Sequence, residues 1–239
     1  MNNTQSHKQI IAFTSAKGGT GQTLIASNMA YLASKRTNTL FIQLTRYPDA
    51  HTFFDIDNEK NFTHVINFLE NKEDVIKTYQ ALTYRKNNLS ILLSPSNTKE
   101  LSDLSGERIS EIIRTAAMIY GNIIIDLSND FQERDAVLYS ATQIIITSNL
   151  DPQSIVKTNQ LTEELERKLP QTQKQLIINQ TPASISKKDF QSYFKKEVAY
   201  TLPFDNEGAW DNIAFSTPYV DRPSKLSKKT ETILDKILS

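Results

Sequence analysis

The chain has 239 residues, of which 38% are hydrophobic, and this is enough for the core of one α/β domain. Its 27 basic and 27 acidic residues cancel, so composition gives no general electrostatic reason to bind nucleic acid or an anionic membrane. The absence of cysteine excludes disulfides and thiolate-ligated metal centres. With no signal peptide and no apolar run near the roughly 20 residues of a membrane span, we expect a soluble cytoplasmic protein.

Short apolar runs alternate with helical patterns along the chain. The predicted strands are Gln9–Thr14, Thr39–Leu44, Leu89–Leu93, Asn122–Leu127, Gln143–Ser148, Gln175–Asn179 and Val198–Leu202. The predicted helices are Thr23–Ser34, Phe62–Glu70, Glu73–Thr83, Glu107–Ile119, Phe131–Ala141, Pro152–Leu169, Ser186–Lys196 and Ser224–Leu238. Most strands are continuous apolar runs, which is typical of strands buried on both faces of a parallel sheet. This order predicts an α/β fold with a doubly wound, mostly parallel sheet flanked by helices. Because no Pro/Gly/Ser-rich linker interrupts the pattern, we expect residues 1–239 to form a single domain.

A glycine-rich turn joins the first predicted strand to the first predicted helix. Its glycines, Gly18, Gly19 and Gly21, allow backbone amides to point at one centre, as a phosphate requires. The helix that follows adds its N-terminal amides and its dipole. Thr23 stands where a hydroxyl can reach a phosphate-bound Mg²⁺. The alternative is an ordinary glycine turn at a strand–helix junction.

The turn differs from an ordinary phosphate loop in its lysine. Gln22 stands at the usual lysine position, and Lys17 lies early in the loop. The run Lys17–Thr23 followed by Ser27–Ala30 resembles the deviant Walker A motif of MinD, ParA and their relatives, and the chain is therefore similar to P-loop NTPases of that type. The resemblance implies that the loop binds ATP with Mg²⁺, weakly or not at all given Gln22. It also implies a homodimer in which Lys17 reaches the partner's nucleotide. The implied nucleotide-binding residues of the loop are Lys17, Gly18, Gly19, Thr20, Gly21, Gln22 and Thr23.

The second predicted strand lacks the carboxylates that this resemblance implies. Such proteins continue with a strand ending Asp-x-Asp, and Gln43 and Thr45 stand at these two positions. Neither side chain can act as a base or offer a metal negative charge. With no catalytic residue intact, we expect weak or absent ATP hydrolysis, because water positioning and charge stabilisation supply nearly all of phosphoryl-transfer catalysis.

Three further polar residues lie at or shortly after the ends of predicted strands. The run from Tyr120 to Asp126 resembles a Walker B strand, which implies that Asp126 and Thr23 hold Mg²⁺; the alternative is an Asp that caps the next turn. Asp130 is a candidate cap for the helix Phe131–Ala141 or a replacement carboxylate. Asn179 matches the position at which such proteins hydrogen-bond adenine, unless it only turns the chain after its strand.

The branch that fits best is the CpaE/TadZ-like group. The matching segments are Asn88–Pro95, Tyr120–Asp126, Asp135–Leu138, Leu202–Asp205, Trp210–Ala214, Thr217–Pro218 and Pro223–Ser224. This resemblance implies an assembly factor whose partners belong to a pilus or secretion apparatus, at the inner face of the membrane or the cell pole. Many such proteins carry a receiver-like N-terminal domain; because the phosphate loop starts at residue 14, we expect none in residues 1–239.

Other functions stay open at the level of sequence. A ParA-type partition ATPase would bind DNA as an ATP dimer. Zero net charge, Gln22, Gln43 and Thr45 argue against this function. An ATP-dependent ligase or kinase would need a carboxylate pair near the phosphates, and the sequence reveals none. The terminal helix Ser224–Leu238 has the amphipathic pattern of a peripheral membrane anchor, as in MinD, and equally that of an ordinary packed helix.

Overall fold

The described part of the chain is residues 8–57, 59–70, 74–95, 97, 99–100, 104–205, 218–221 and 223–238 of a computed structural model. Trp210–Ala214 and Thr217, which contribute to the CpaE/TadZ-like resemblance, lie outside these residues. None of the described helices is both long and apolar enough to cross a membrane.

One eight-stranded sheet organises the fold. Its strands are β1 (Gln9–Ser15), β2 (Thr39–Leu44), β3 (Tyr84–Lys86), β4 (Leu89–Leu92), β5 (Asn122–Leu127), β6 (Gln143–Ser148), β7 (Gln173–Thr181) and β8 (Val198–Pro203). They lie in the order β3-β4-β2-β5-β1-β6-β7-β8. Every neighbouring pair is parallel except β3 and β4, which form an antiparallel edge. The predicted doubly wound, mostly parallel fold class is confirmed.

Helices cover both faces of the sheet. They are α1 (Gln22–Ser34), α2 (Ala50–Phe54), α3 (Phe62–Glu70), α4 (Val75–Leu82), α5 (Gly106–Ile119), α6 (Arg134–Ser140), α7 (Pro152–Lys168), α8 (Lys187–Phe190) and α9 (Lys225–Leu238). Two 3₁₀ turns, Gln191–Tyr193 and Tyr219–Asp221, complete the described elements. Asp151 caps α7 by accepting a hydrogen bond from the Ser154 amide, with proline at the first helical position.

The central strands are buried on both faces because successive side chains point into different helix layers. Ile11 and Phe13 of β1 belong to the core cluster that contains α1 and α9. Ala12, between them, belongs to the cluster formed with α5 and α7. This two-sided burial explains why these strands read as continuous apolar runs.

The terminal helix α9 is packed against the rest of the fold. Its apolar residues Leu226, Ile233, Leu234 and Ile237 are at most 5% exposed and lie in the core cluster of α1. A membrane contact through this face would require the helix to leave the core. The described packing is that of an ordinary terminal helix, the second of the two interpretations of its pattern.

Differences from the predicted elements lie in short segments. The predicted helix Ser186–Lys196 is wrong in its length, because α8 ends at Phe190 and continues as a 3₁₀ turn. Helix α2 and strand β3 were not predicted, since five and three residues are too few to show a periodic pattern.

Candidate functional site

The glycine-rich loop wraps around a cleft at the carboxyl end of β1. Gly19 and Gly21 have φ of 80° and 76°, left-handed values that glycine adopts without strain. The cleft has a volume of about 540 Å³. Besides residues 15–24, which include the whole loop, it is lined by Gln43, Thr45, Tyr47, Asp49, Phe53, Asp126, Ser128, Asn129 and Asp130. The predicted loop residues are therefore gathered at one place with Gln43, Thr45 and Asp126.

Asn179 supports the loop from strand β7, which is separated from β1 by β6. Its Nδ2 donates to the carbonyl oxygen of Thr20 at 2.9 Å. A Cβ on Gly21 would lie 2.3 Å from the same Nδ2, so Gly21 lets the loop and Asn179 approach closely. Thr20 also makes a hydroxyl–hydroxyl contact of 3.2 Å with Thr147. Asn179 thus fixes the conformation of the loop, while its predicted contact with adenine stays a prediction.

The side chain of Gln22 is directed toward β5. Its Nε2 donates to Asp126 Oδ1 at 2.6 Å, to the Leu127 carbonyl at 3.0 Å and to the Phe13 carbonyl at 3.2 Å. In this arrangement the amide at the usual lysine position ties the start of α1 to the ends of β1 and β5. Its donor nitrogen is engaged by the protein itself.

Gln43 makes four hydrogen bonds in the wall of the cleft. Its Nε2 donates to Asp126 Oδ2 at 2.9 Å and to Asp49 Oδ1 at 2.7 Å. Its Oε1 accepts from the backbone amides of Asp49 and Ala50 at 3.0 and 2.9 Å. Gln43 therefore joins the end of β2 both to β5 and to the segment that begins α2.

Asp126 lies at the centre of this network. It is 3% exposed, and each of its carboxylate oxygens accepts from a glutamine. Burial raises the pKa of Asp126, and the bonds from Gln22 and Gln43 oppose this effect by stabilising the charged form. Thr23 and Asp126 line the same cleft, and their predicted role in holding Mg²⁺ stays a prediction.

Lys17 points to the other side of the loop. Its Nζ lies 2.9 Å from Asp151 Oδ1, the N-cap carboxylate of α7, and both side chains are about one-third exposed. The Ser154 hydroxyl and then the Lys17 ammonium hold the pKa of Asp151 below its usual range. With Lys17 paired in this way, its ammonium is not in contact with the glutamine network.

Thr45 and Asp130 line the cleft without joining this network. The Thr45 amide donates to the Ser94 hydroxyl at 2.9 Å, and the Ser94 hydroxyl donates to the Gln43 carbonyl at 2.9 Å. Asp130 accepts from Ser128. The candidate role of Asp130 as a helix cap is wrong, because α6 begins at Arg134 with Glu133 at the cap position.

Comparison with known proteins places this geometry in a family. The model of the AAA_31 family, described as an AAA domain, matches residues 8–178, which include the loop, Gln43 and Asp126. The chain belongs to the AAA_31 family. No curated protein matches the chain in sequence.

Solved structures of ParA and MinD proteins share the AAA_31 chain's fold. A ParA family ATPase from Chlorobium tepidum is 20% identical, with a TM-score of 0.87 over 95% of this chain and 98% of that chain. MinD from Pyrococcus horikoshii, complexed with Mg-ADP, is 17% identical, with a TM-score of 0.79 over 96% and 95%. A plasmid partition protein from Borrelia burgdorferi bound to AMPPNP is 20% identical, with a TM-score of 0.76 over 96% and 98%.

One residue of this AAA_31 site was missed by sequence reasoning. Asp49 lines the cleft next to Asp126, six positions beyond Gln43. The sequence did contain a signal for it: a strand that leads into the site is followed closely by an Asp, and a short helix-compatible segment comes after that Asp. Among the described residues there is no cluster of three or more His, Asp or Glu able to hold a metal. A Mg²⁺ ion here would therefore depend on phosphate oxygens and water for most of its ligands.

Proposed function

We propose that this AAA_31 chain is a ParA/MinD-like nucleotide-binding protein with weak or no ATP hydrolysis, and that it acts as a localisation or assembly factor for a pilus or secretion apparatus. The observation that carries the nucleotide part is the loop itself, which opens onto a cleft lined also by Thr23 and Asp126. Backbone amides of a glycine-rich turn and a helix N-terminus suit an anionic phosphate.

The absence of a lysine at position 22 weakens binding without abolishing it. A charge-assisted hydrogen bond contributes about 1.5–3 kcal/mol, which corresponds to roughly 10- to 100-fold in affinity. Gln22 cannot supply that charge, and its Nε2 is already shared among three acceptors. The loop amides and a Mg²⁺ ion held near Thr23 and Asp126 would provide the remaining attraction.

Weak hydrolysis follows from the side chain at position 43. The Gln43 nitrogen that faces Asp126 is a hydrogen-bond donor, and its oxygen is occupied by the amides of Asp49 and Ala50. An amide in this state can neither accept a proton from water nor carry charge to a metal. The protein would then use nucleotide mainly as a signal for assembly.

Dimerisation would require Lys17 to change partner. The Lys17 ammonium is paired with Asp151 across a contact that is partly exposed, so it can be exchanged for a stronger anion. A partner subunit's nucleotide phosphates are such an anion. We propose that nucleotide binding and Lys17 release together produce a homodimer.

The pilus or secretion partner is supported by the CpaE/TadZ-like resemblance of Asn88–Pro95, Asp135–Leu138 and Leu202–Asp205. A MinC:MinD complex from Aquifex aeolicus has the same fold, at 17% identity and a TM-score of 0.74. It is a precedent for a partner protein on this fold.

Calorimetric titration with Mg-ATP, combined with size-exclusion light scattering of the same samples, tests the proposal. We expect binding with dimer formation, and phosphate release slow or undetectable. Lys17→Ala should retain binding but lose the dimer, whereas Lys35→Ala, which removes another partly exposed ion pair, should behave as the unaltered protein. No binding at millimolar ATP would overturn the nucleotide part and leave a fold used for protein contacts.

The second candidate is a ParA-type partition ATPase that binds DNA non-specifically as an ATP dimer. The fold shared with the Borrelia burgdorferi partition protein favours it, and the side chains at positions 43 and 45 oppose it. A DNA mobility shift that needs ATP and weakens steeply with salt would select this candidate over the first.

A further inference from the structure

Asp49 is directed toward the cleft instead of its own helix. It occupies the N-cap position of α2, where an aspartate normally accepts a backbone amide of the first turn, yet its side chain makes no capping bond. The Gln43 side-chain oxygen accepts from the amides of Asp49 and Ala50 in its stead. The carboxylate of Asp49 is thereby free to face Gln43.

One nitrogen atom holds Asp49 and Asp126 together. Gln43 Nε2 is 2.7 Å from Asp49 Oδ1 and 2.9 Å from Asp126 Oδ2. The two carboxylates are close enough for the charge of Asp49 to help raise the pKa of Asp126. A carboxylate pair is therefore present at the end of β2, although β2 itself contributes no acid.

The two carboxylates differ in their availability. Both oxygens of Asp126 accept from glutamines, and the residue is buried. Asp49 is exposed, and no described residue donates to its Oδ2. Asp49 can thus offer a charged oxygen to a ligand in the cleft without breaking an existing bond.

The charges that line the cleft favour a cation. They are Asp49, Asp126 and Asp130 against Lys17 alone, and Lys17 is paired with Asp151. A polyphosphate entering this cleft without a counterion would be repelled. A hard divalent cation bound by one or two carboxylates and by phosphate oxygens removes the repulsion.

We infer that Asp49 supplies the carboxylate that β2 lacks: with Asp126 and Thr23 it holds the divalent cation of the bound nucleotide, and Gln43 is the residue that positions it. This inference rests on the proposed binding of nucleotide. In this chain the carboxylate lies in the segment after β2 instead of at the end of β2 itself. The side-chain amide of Gln43 holds it beside Asp126.

The test is the dependence of ADP affinity on Mg²⁺, measured by calorimetry with Mg²⁺ and with EDTA. In the unaltered protein Mg²⁺ should tighten ADP binding. In Asp49→Asn the tightening of ADP binding by Mg²⁺ should be about 10-fold smaller, which is the size of one charge-assisted contact. The affinity of this variant for ADP in EDTA should equal or exceed that of the unaltered protein, because one negative charge is removed from the cleft. The electron paramagnetic resonance spectrum of Mn²⁺ with ADP gives a second readout, in which Asp49→Asn should leave more Mn²⁺ unbound by protein.

Asp55→Asn is the matched control. Asp55 ends the same helix with a φ of 49°, which asparagine tolerates, and it does not line the cleft. It should keep the full effect of Mg²⁺. The assignment would be overturned if Mg²⁺ tightened ADP binding as much in Asp49→Asn as in the unaltered protein, or if Asp130→Asn lost this effect instead. Either result would leave nucleotide binding intact. Failure of the unaltered protein to bind ADP under either condition would overturn the proposed function and this inference together.

Discussion

Replacing Gln43 by methionine should destabilise the fold, although the two side chains have similar length. The change removes four hydrogen bonds: the buried carboxylate of Asp126 loses one of its donors, and the buried amide of Ala50 loses its acceptor. Each unsatisfied buried group costs about 1–3 kcal/mol, so the free energy of unfolding should fall by about 3 kcal/mol. For a domain of this size that lowers the Tm by roughly 6–12 °C.

Thermal and urea denaturation measure this change, and Gln175→Met is the matched control. Gln175 also lies in a strand, but its buried Oε1 has no hydrogen-bond partner among the described residues, so methionine there should be neutral or stabilising. Equal stability of the two variants would refute the conclusion that Gln43 organises the site.

The loss should also depend on pH, through Asp126. Burial already raises the pKa of Asp126 in the folded protein, and removing the Gln43 donor raises that pKa further. When the pKa of an aspartate is higher in the folded protein than in the unfolded chain, its protonated form stabilises the fold. This stabilisation is complete below the pKa of the unfolded chain, about 4, and is lost as pH rises through the pKa of the folded protein. The deficit of Gln43→Met should therefore be smallest near pH 4 and grow toward neutrality; a deficit that is the same at all pH values would exclude Asp126 as its cause.

Two further variants test the loop. Gln22→Lys should tighten Mg-ATP binding in calorimetry by about 10-fold or more, because it returns a cation to the loop, and unchanged affinity would mean that the loop does not hold phosphate. Gly21→Ala should lower stability in urea denaturation by about 1–3 kcal/mol, since its φ is 76° and its Cβ would lie 2.3 Å from Asn179 Nδ2. Adding Asn179→Ala should recover part of this loss by removing the contact, and simple addition of the two single losses would contradict the proposed clash.

The sheet could be predicted closely because burial on both faces leaves a strong signal. Strands β2, β5 and β6 have the predicted bounds, since each is a continuous apolar run between helical patterns. The segment between β2 and β4 was predicted less completely, because α2 and β3 are short and their packing depends on distant partners. Tyr84 of β3, for example, bonds to the amides of Glu59 and Lys60, which no local pattern reveals.

The loop residues of the site could be predicted, but not the direction of their side chains. The glycine spacing and the position of Thr23 are local, and both lie in the cleft as expected. That Gln22 donates to β5 and Lys17 pairs with Asp151 depends on residues more than 100 positions away. Asp49 was missed for the same reason, because its proximity to Asp126 arises only when β2 and β5 are paired.

The two glutamines of the cleft act as a matched pair. The resemblance to MinD and ParA implies a lysine at position 22 and an aspartate at position 43, so compared with that motif the chain has one cation and one anion fewer beside Asp126. Both replacements donate to Asp126, one to each oxygen, and together they keep that carboxylate satisfied without a net change of charge. The single change Gln43→Asp would bring a new carboxylate against Asp49 and Asp126 with no cation nearby, whereas adding Gln22→Lys would supply that cation. The effects of the two restorations on stability should therefore be strongly non-additive, as expected for residues that share one partner. A measured coupling of this kind would show that the two glutamines hold Asp126 as one unit.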